Sequence, residues 1–328
     1  GVVVQPHNMG TCAAGKTEIE GAVGFMGGTL LKRVCTVAWC VTGLAALAYY
    51  SGSHEHPDLV YGAMAREFLP SILPGLLGLF LAALLATVMG SCDSFMVASS
   101  GLISRNLYRP LFPGKSDGHY LSVARISSLV VVIGGVLLAY LAESVVPLLE
   151  NLWKINTMMA MAFWLGVFWR RASVAGAWAA TFSALLVWAL TIRRDVASAV
   201  QDAAIVKQLS MLKFVDGIPV SFSLPWQMLL YIVVGFAVGI FVSLFTRPVK
   251  GEKLDRFYNL LRTPVTLDEG QSDPCTLPKG VEPGPRNVIF PRSNLEIPKP
   301  GKRAILGFLA GWLVVGAIIA FVVMPLSY

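Results

Sequence analysis

The residues best suited to chemistry lie in one uninterrupted stretch, Phe68 to Pro110. Within it Thr87, Gly90, Ser91 and Ser94 fall at i, i+3, i+4 and i+7, which places them on one face of a helix. Serine and threonine hydroxyls, with carbonyls opened by a glycine notch, are the oxygen ligands that a small hard cation such as Na⁺ takes. The same stripe also suits helix packing, because small residues let backbones approach and hydroxyls bond to the preceding turn. Asp93, the one acid in the stretch, lies roughly 120° round the helix at ~100° per residue and is the group available for proton coupling.

Three other constellations carry chemistry. Gly10 to Thr17 (GTCAAGKT) matches the phosphate-binding pattern G-x-x-x-x-G-K-[ST] and follows the strand-like Val2-Val3-Val4. A working phosphate loop needs a strand before it and a helix after it. The residues that follow hold Gly21, Gly24, Gly27 and Gly28 and predict a poor helix, which argues against nucleotide binding. Glu150, Asn151, Lys154 and Asn156 lie in or near the outer half of an apolar span. Charges in such a span face a cavity or a partner. Glu150 and Lys154, at i and i+4, can also pair along the helix. His54, Glu55, His56 and Asp58 form a loose cluster with no further convergent ligand, and read as a solvated loop.

The elements that position these groups are membrane spans. Hydrophobic residues make up 55% of the chain and charged residues 14%, with a mean hydropathy of +0.66, which excludes an ordinary soluble domain. Leu69 to Met89 alone is 21 residues without a charge, enough to cross ~30 Å of hydrocarbon. After an incomplete first helix ending near Asn8, the expected spans are Val34–Tyr50, Ile72–Ser104, Ile126–Ala142, Val146–Trp169, Val174–Ile192, Trp226–Thr246 and Ala304–Met324. Numbering the gaps alternately puts 20 of the 26 Lys and Arg on one side, the cytoplasmic one by the positive-inside rule. The net charge of +7 is therefore a topology signal and no nucleic-acid footprint. Small-xxx-small pairs at Gly135/Ala139, Gly235/Gly239 and Gly307/Gly311 mark expected close helix contacts. The five cysteines show no CxxC pair and read as free thiols. Arg193 to Leu224 is expected to be an extracellular helical excursion, and the Pro-rich stretch Arg247 to Lys302 an irregular cytoplasmic linker with a short helix at Glu252–Leu261.

From Pro74 to Pro110 the chain reads PGLLGLFLAALLATVMGSCDSFMVASSGLISRNLYRP. This resembles, without a gap, the pattern PGLxGLxxAxxxAAxMSSLDSxxNSxSTxFTxDIYRP of the sodium/solute symporter family, the group of the proline and sodium/galactose symporters. Gln5-Pro6-His7 adds a second family-like signature, and the similarity extends from Gly1 to about Leu190. Where the family carries two adjacent serines facing sodium, this chain has Gly90 and Ser91; Thr87 stands at a small residue whose carbonyl serves the site, so its hydroxyl is the candidate replacement. The family asparagine is Val97 here, and the aspartate before the tyrosine is Asn106.

The resemblance implies an all-α integral membrane fold, the second half of a core of two inverted five-helix repeats plus peripheral helices. Residues 1–169 would supply the second-repeat helices, 170–246 two peripheral helices with an extracellular excursion at 193–225, 247–303 the cytoplasmic linker, and 304–328 the last span. The chain, opening on Gly1, reads as the carboxyl-terminal part of a longer protein. The implied activity is sodium-coupled symport of a small organic solute (sugar, amino acid, carboxylate or vitamin) across the plasma membrane, with no enzyme chemistry. Thr87, Gly90, Ser91 and Ser94 would form part of a sodium site, completed by a broken first-repeat helix. Gln5, Glu150, Asn151, Lys154 and Asn156 would border the substrate path. The alternative is a membrane sensor of the same fold that no longer transports, for which Gly90 and Asn106 are the suggestive departures.

Overall fold

The computed structural model describes residues 2–50, 57–142, 144–215, 217–264, 276–278 and 280–323. Val2–Val4, strand-like in sequence, is a turn of 3₁₀ helix, followed by α1 (Pro6–Ala13). Helix α2 (Glu18–Tyr49) then runs 32 residues, about 48 Å at 1.5 Å per residue. The four glycines therefore do not break it, and the expected 17-residue span at Val34 is only its apolar end. Thr17 caps it by accepting the Glu20 N–H at 3.2 Å, and the Glu20 carboxylate accepts the Lys16 N–H at 2.9 Å. A residue of the chain thus occupies the anion-seeking end of α2, and a helix rather than a strand precedes it. The phosphate-loop pattern has neither its strand nor a vacant cradle.

Helix α3 (Val60–Ile72) ends at Leu73-Pro74, and Gly75, at φ +86°, makes the left-handed turn into α4 (Leu76–Gly101). Only glycine adopts that φ without strain. Helix α4 passes directly into a π-helical segment, Leu102–Tyr108, and then the short α5 (Arg109–Leu111). Helix α6 (Asp117–Leu141) starts at the Ser116 cap, and α7 (Val145–Phe168) follows. Then come α8 (Val174–Thr191), α9 (Arg194–Val200), α10 (Ala204–Gln208), strands β1 (Leu212–Val215) and β2 (Ile218–Phe222), α11 (Leu224–Phe245), α12 (Gly251–Arg262) and α13 (Lys302–Val323). Among the described residues six helices are long and apolar enough to cross a membrane: Glu18–Tyr49, the continuous Leu76–Leu111, Asp117–Leu141, Val174–Thr191, Leu224–Phe245 and Lys302–Phe321.

The chain forms two compact units, Gly1–Gln5 with Leu149–Pro300, and Pro6–Leu148 with Gly301–Tyr328. The first is built on the contact of α8 with α11. Ala180 and Ala184 are fully buried there, and a Cβ added at Gly239 would sit 2.8 Å from the Ala180 Cβ and the Leu165 Cδ1. One added at Gly176 would fall 1.9 Å from Ser243 Oγ. Gly235/Gly239 is thus a true close-packing signal, matched by Gly176, Ala180 and Ala184 one turn apart on α8. Gly135 and Gly307 have nothing within 4 Å of an added Cβ, and Gly311 meets only the Met26 side chain at 3.5 Å; those two signals make no close contact among the described residues. The ends of the pair are tied by Ser173 Oγ and Thr246 Oγ1 at 2.6 Å and by Arg171, which donates to the carbonyls of Leu244 and Thr246 at 3.1 Å, closing the negative end of α11.

The 193–225 excursion is only partly helical. Strands β1 and β2 pair antiparallel, Leu212 opposite Phe222, turning at Gly217 with φ +78°. The Asp-Gly dipeptide between alternating apolar residues was the available hairpin signal. Ala197, Val206, Met211, Leu212 and Phe222 form a small core beneath the hairpin.

In the 247–303 segment the expected short helix forms as α12, and the described residues after it are irregular, as expected, but tied to the end of α7. Helix α12 is followed by a strap in which Glu296 N–H donates to Phe168 O at 2.8 Å and Arg170 N–H to Asn294 O at 2.9 Å. The Glu296 side chain, 4% exposed, accepts from Arg170 and Arg262 at 3.0 Å and from Arg286 at 3.1 Å. Asp255 pairs with Arg170 as well. Burial works against the Arg170 charge, yet Glu296 and Asp255 hold its pKa above the usual value. Tyr258, buried beneath the Arg170 guanidinium, donates to Gly166 O at 2.6 Å. Burial, then the Glu296 charge, pushes its phenol up to about 12.

Gly176→Val should lower the melting temperature in detergent by several degrees, through overpacking of roughly 1–3 kcal/mol, whereas Gly307→Val should leave it unchanged. Glu296→Gln should cost about 2 kcal/mol, less than a fully buried pair because the arginines are partly exposed, and should speed proteolysis between residues 247 and 300. Because the Tyr258 pKa is raised in the folded chain, its contribution is complete below pH 10 and is lost as pH rises from about 10 to about 12. Proteolysis of the strap across that window should therefore steepen in the native chain and not in Tyr258→Phe.

Candidate cation site on helix α4

The stripe on α4 keeps its spacing in three dimensions. Thr87 Oγ1 donates to Ala83 O at 2.9 Å, Ser91 Oγ to Thr87 O at 3.1 Å, and Ser94 Oγ to Gly90 O at 3.2 Å. Each hydroxyl thus spends its single proton on the carbonyl four residues back and turns its lone pairs outward. The result is a column of acceptor oxygens with no competing donor of its own. Thr87, Gly90, Ser91 and Ser94 are all exposed. A Cβ at Gly90 would meet nothing within 4 Å, so no helix among the described residues packs into the glycine notch. The column is open, and one helix supplies only one side of a coordination shell.

Among the described residues helix α4 packs against α1, α3 and α6. Helices α3 and α6 flank it, and α1 places the His7 ring 4.3 Å from Phe95, the residue after Ser94. The sequence marked His7 only as part of a signature; its contact beside the stripe is a tertiary fact. Ser104, buried, donates to Tyr120 O at 3.1 Å and ties the π-helical segment to α6. Asp93 is exposed.

The five residues expected along a substrate path all fall in the unit formed by residues 1–5 and 149–300. Gln5 ends the 3₁₀ turn, its N–H bonded to Val2 O at 3.2 Å. Lys154 is buried, and its Nζ lies 3.7 Å from Glu150 Oε2, so the pairing available to i and i+4 forms. Lys154 shares its helix face with Met158, Met161 and Leu165, which are buried. Asn156 is half-buried and Asn151 exposed. His54, Glu55 and His56 lie outside the described residues, as does Cys275; Asp58 accepts the Val145 N–H at 3.2 Å. Cys12, Cys35, Cys40 and Cys92 are free thiols.

Comparison with known proteins places this geometry in context. Residues 1–183 match the model of the sodium:solute symporter family. An osmoregulated proline transporter of Bacillus subtilis is 27% identical over 160 residues, 46% of this chain and 32% of that protein. A sodium/mannose cotransporter of Bos taurus is 29% identical over 145 residues, 40% of this chain and 23% of that protein. A sodium/pantothenate symporter of Haemophilus influenzae is 26% identical over 182 residues, 54% of this chain and 37% of that protein. The chain thus spans about a third or less of the length of the first two relatives. Its apolar helices make it a multi-pass membrane protein. With the family match covering more than half of it, the chain belongs to the sodium:solute symporter family.

Proposed function

We propose that this chain forms part of a sodium-coupled symporter for a small organic solute, with α4 supplying sodium ligands from Thr87, Gly90, Ser91 and Ser94. The observation that carries this reading is the open column on α4. Its hydroxyl protons are committed to backbone carbonyls, its oxygens face outward, and no described helix uses the glycine notch for packing.

In this reading residues 1–169 are second-repeat helices of a transporter core, and carbonyls of a discontinuous first-repeat helix complete the sodium shell. Thr87 Oγ1 and Ser91 Oγ are the primary side-chain ligands; Gly90 replaces one serine and leaves the site with one hydroxyl fewer. Sodium moving down its gradient binds there, favours the outward-open state and orders the solute cavity, so the gradient drives uptake. Gln5, Glu150, Asn151, Lys154 and Asn156 border that cavity, Glu150 neutralising Lys154 until a solute group replaces it. The relatives named for proline, mannose, myo-inositol and pantothenate span amino acid, sugar, polyol and vitamin-like carboxylate, and the solute here belongs to that range.

The test is thermal stability of the complete protein in detergent, in sodium against potassium. At about a hundred times its dissociation constant sodium should stabilise by ~2.7 kcal/mol, visible as a raised midpoint. Ser91→Ala should abolish the sodium-specific shift. Gly90→Ser, which the open space around Gly90 accommodates, should reach the same shift at lower sodium. No shift at high sodium in the native protein would overturn the assignment.

A further inference from the structure

The geometry points to a phospholipid headgroup site in a cleft between the π-helical segment and α6, where Arg105 and Arg109 take the phosphate and Asp117 the headgroup amine. The cleft has a volume of about 570 Å³, and Ser100, Arg105, Arg109, Asp117, Tyr120 and Leu121 line it. It lies wholly within one compact unit.

Four features fit it to that ligand. First, residues 102–108 bond i to i+5, the Arg109 N–H reaching Ser104 O, and Arg105 and Arg109, at i and i+4, lie on nearly one face. Second, neither arginine has a carboxylate within salt-bridge distance among the described residues, in contrast to Arg170, Arg262 and Arg286 around Glu296. Two unneutralised guanidinium groups in a shared cleft are fork-shaped donors suited to phosphate oxygens. Third, the Arg109 guanidinium rests 5.1 Å from the centre of the Tyr120 ring. Tyr120 is itself locked, donating to Phe112 O at 2.8 Å and accepting the Lys115 N–H at 3.2 Å. Arg109 is therefore held before any ligand arrives. Fourth, the cleft runs from charged residues to the apolar side chains of Val97, Leu121 and Ala124, of which Val97 and Leu121 are exposed.

A phosphate at the charged end would leave acyl chains on that apolar surface, as a lipid does and a soluble phosphate ester does not. The Lys and Arg distribution puts this end of α4 at the cytoplasmic leaflet, where basic pockets between spanning helices hold lipid headgroups. Asp117 would repel a purely anionic headgroup at close range and pair with an ammonium, so the charge pattern favours an aminophospholipid such as phosphatidylethanolamine.

The experiment is native mass spectrometry and thermal shift on the complete, delipidated protein with added phosphatidylethanolamine, phosphatidylglycerol, phosphatidylcholine or glycerophosphoethanolamine. The native protein should retain phosphatidylethanolamine at least tenfold better than phosphatidylcholine, and Arg105→Gln/Arg109→Gln should lose that preference with its helix content unchanged by circular dichroism. Asp117→Asn should move the preference toward phosphatidylglycerol. Lys302→Gln/Arg303→Gln, which removes as much charge from another helix end, should behave as the native protein. Equal retention by the native protein and the double arginine variant would overturn the site. An equal shift with glycerophosphoethanolamine would overturn its lipid source and assign the cleft to a soluble phosphate ester.

Discussion

A backbone that crosses hydrocarbon finds no water to bond, so each N–H and C=O has to be satisfied by the chain itself. That constraint makes the spans helical and then decides what their polar side chains do. On α4 it turns three hydroxyls into acceptors, because each proton goes to a carbonyl one turn back. The oxygens of Thr87, Ser91 and Ser94 are then fixed by the helix with their protons already committed. The same rule shapes the C-terminal end of that helix, where i to i+5 bonding keeps the backbone satisfied on the way into α5.

The two compact units use different means of cohesion. In the unit containing α8 and α11, small residues bring two helices into backbone contact, and the van der Waals gain of that approach replaces a hydrophobic driving force that lipid does not supply. A polar cluster then fastens the strap of residues 280–300 to the end of α7. Glu296, almost fully removed from solvent, is held by three arginines, and losing it would leave three cations facing one another. In the unit containing α4 the described helices leave the hydroxyl column uncovered.

The departures from the family pattern acquire physical content here. Gly90 costs the stripe one hydroxyl but also leaves room for another to be introduced. Thr87 supplies an oxygen one turn away that the family pattern does not require. The phosphate-loop pattern at Gly10–Thr17 dissolves for an equally local reason. Glu20 fills the end of α2 that a phosphate would need, and the preceding residues are helical.

By itself the sequence determined the class, the stripe and six of the seven expected spans, because hydrocarbon length, charge exclusion and helical spacing are local properties written along the chain; the seventh, Val146–Trp169, forms helix α7 but is not among the helices apolar enough to cross a membrane. The spans at 174–192 and 226–246 appear within two residues of their expected ends, and Gly235/Gly239 packs as its spacing implies. Local pattern misjudged the glycines of α2, whose helix draws on backbone bonds that propensity does not count once water is excluded. It also missed the hairpin at 212–222, where a small core outweighs the helical tendency around it. Only the tertiary structure decided which small-residue pairs touch, since Gly307 and Gly235 look alike until a partner helix is placed. It alone gathered Arg170, Arg262 and Arg286 around Glu296, and Arg105, Arg109 and Asp117 around one cleft. The first grouping joins residues far apart in the chain, and the burial of Glu296 rather than sequence order fixes it; in the second, Arg105 and Arg109 share a helix face at i and i+4, and the packing of α6 brings Asp117 beside them.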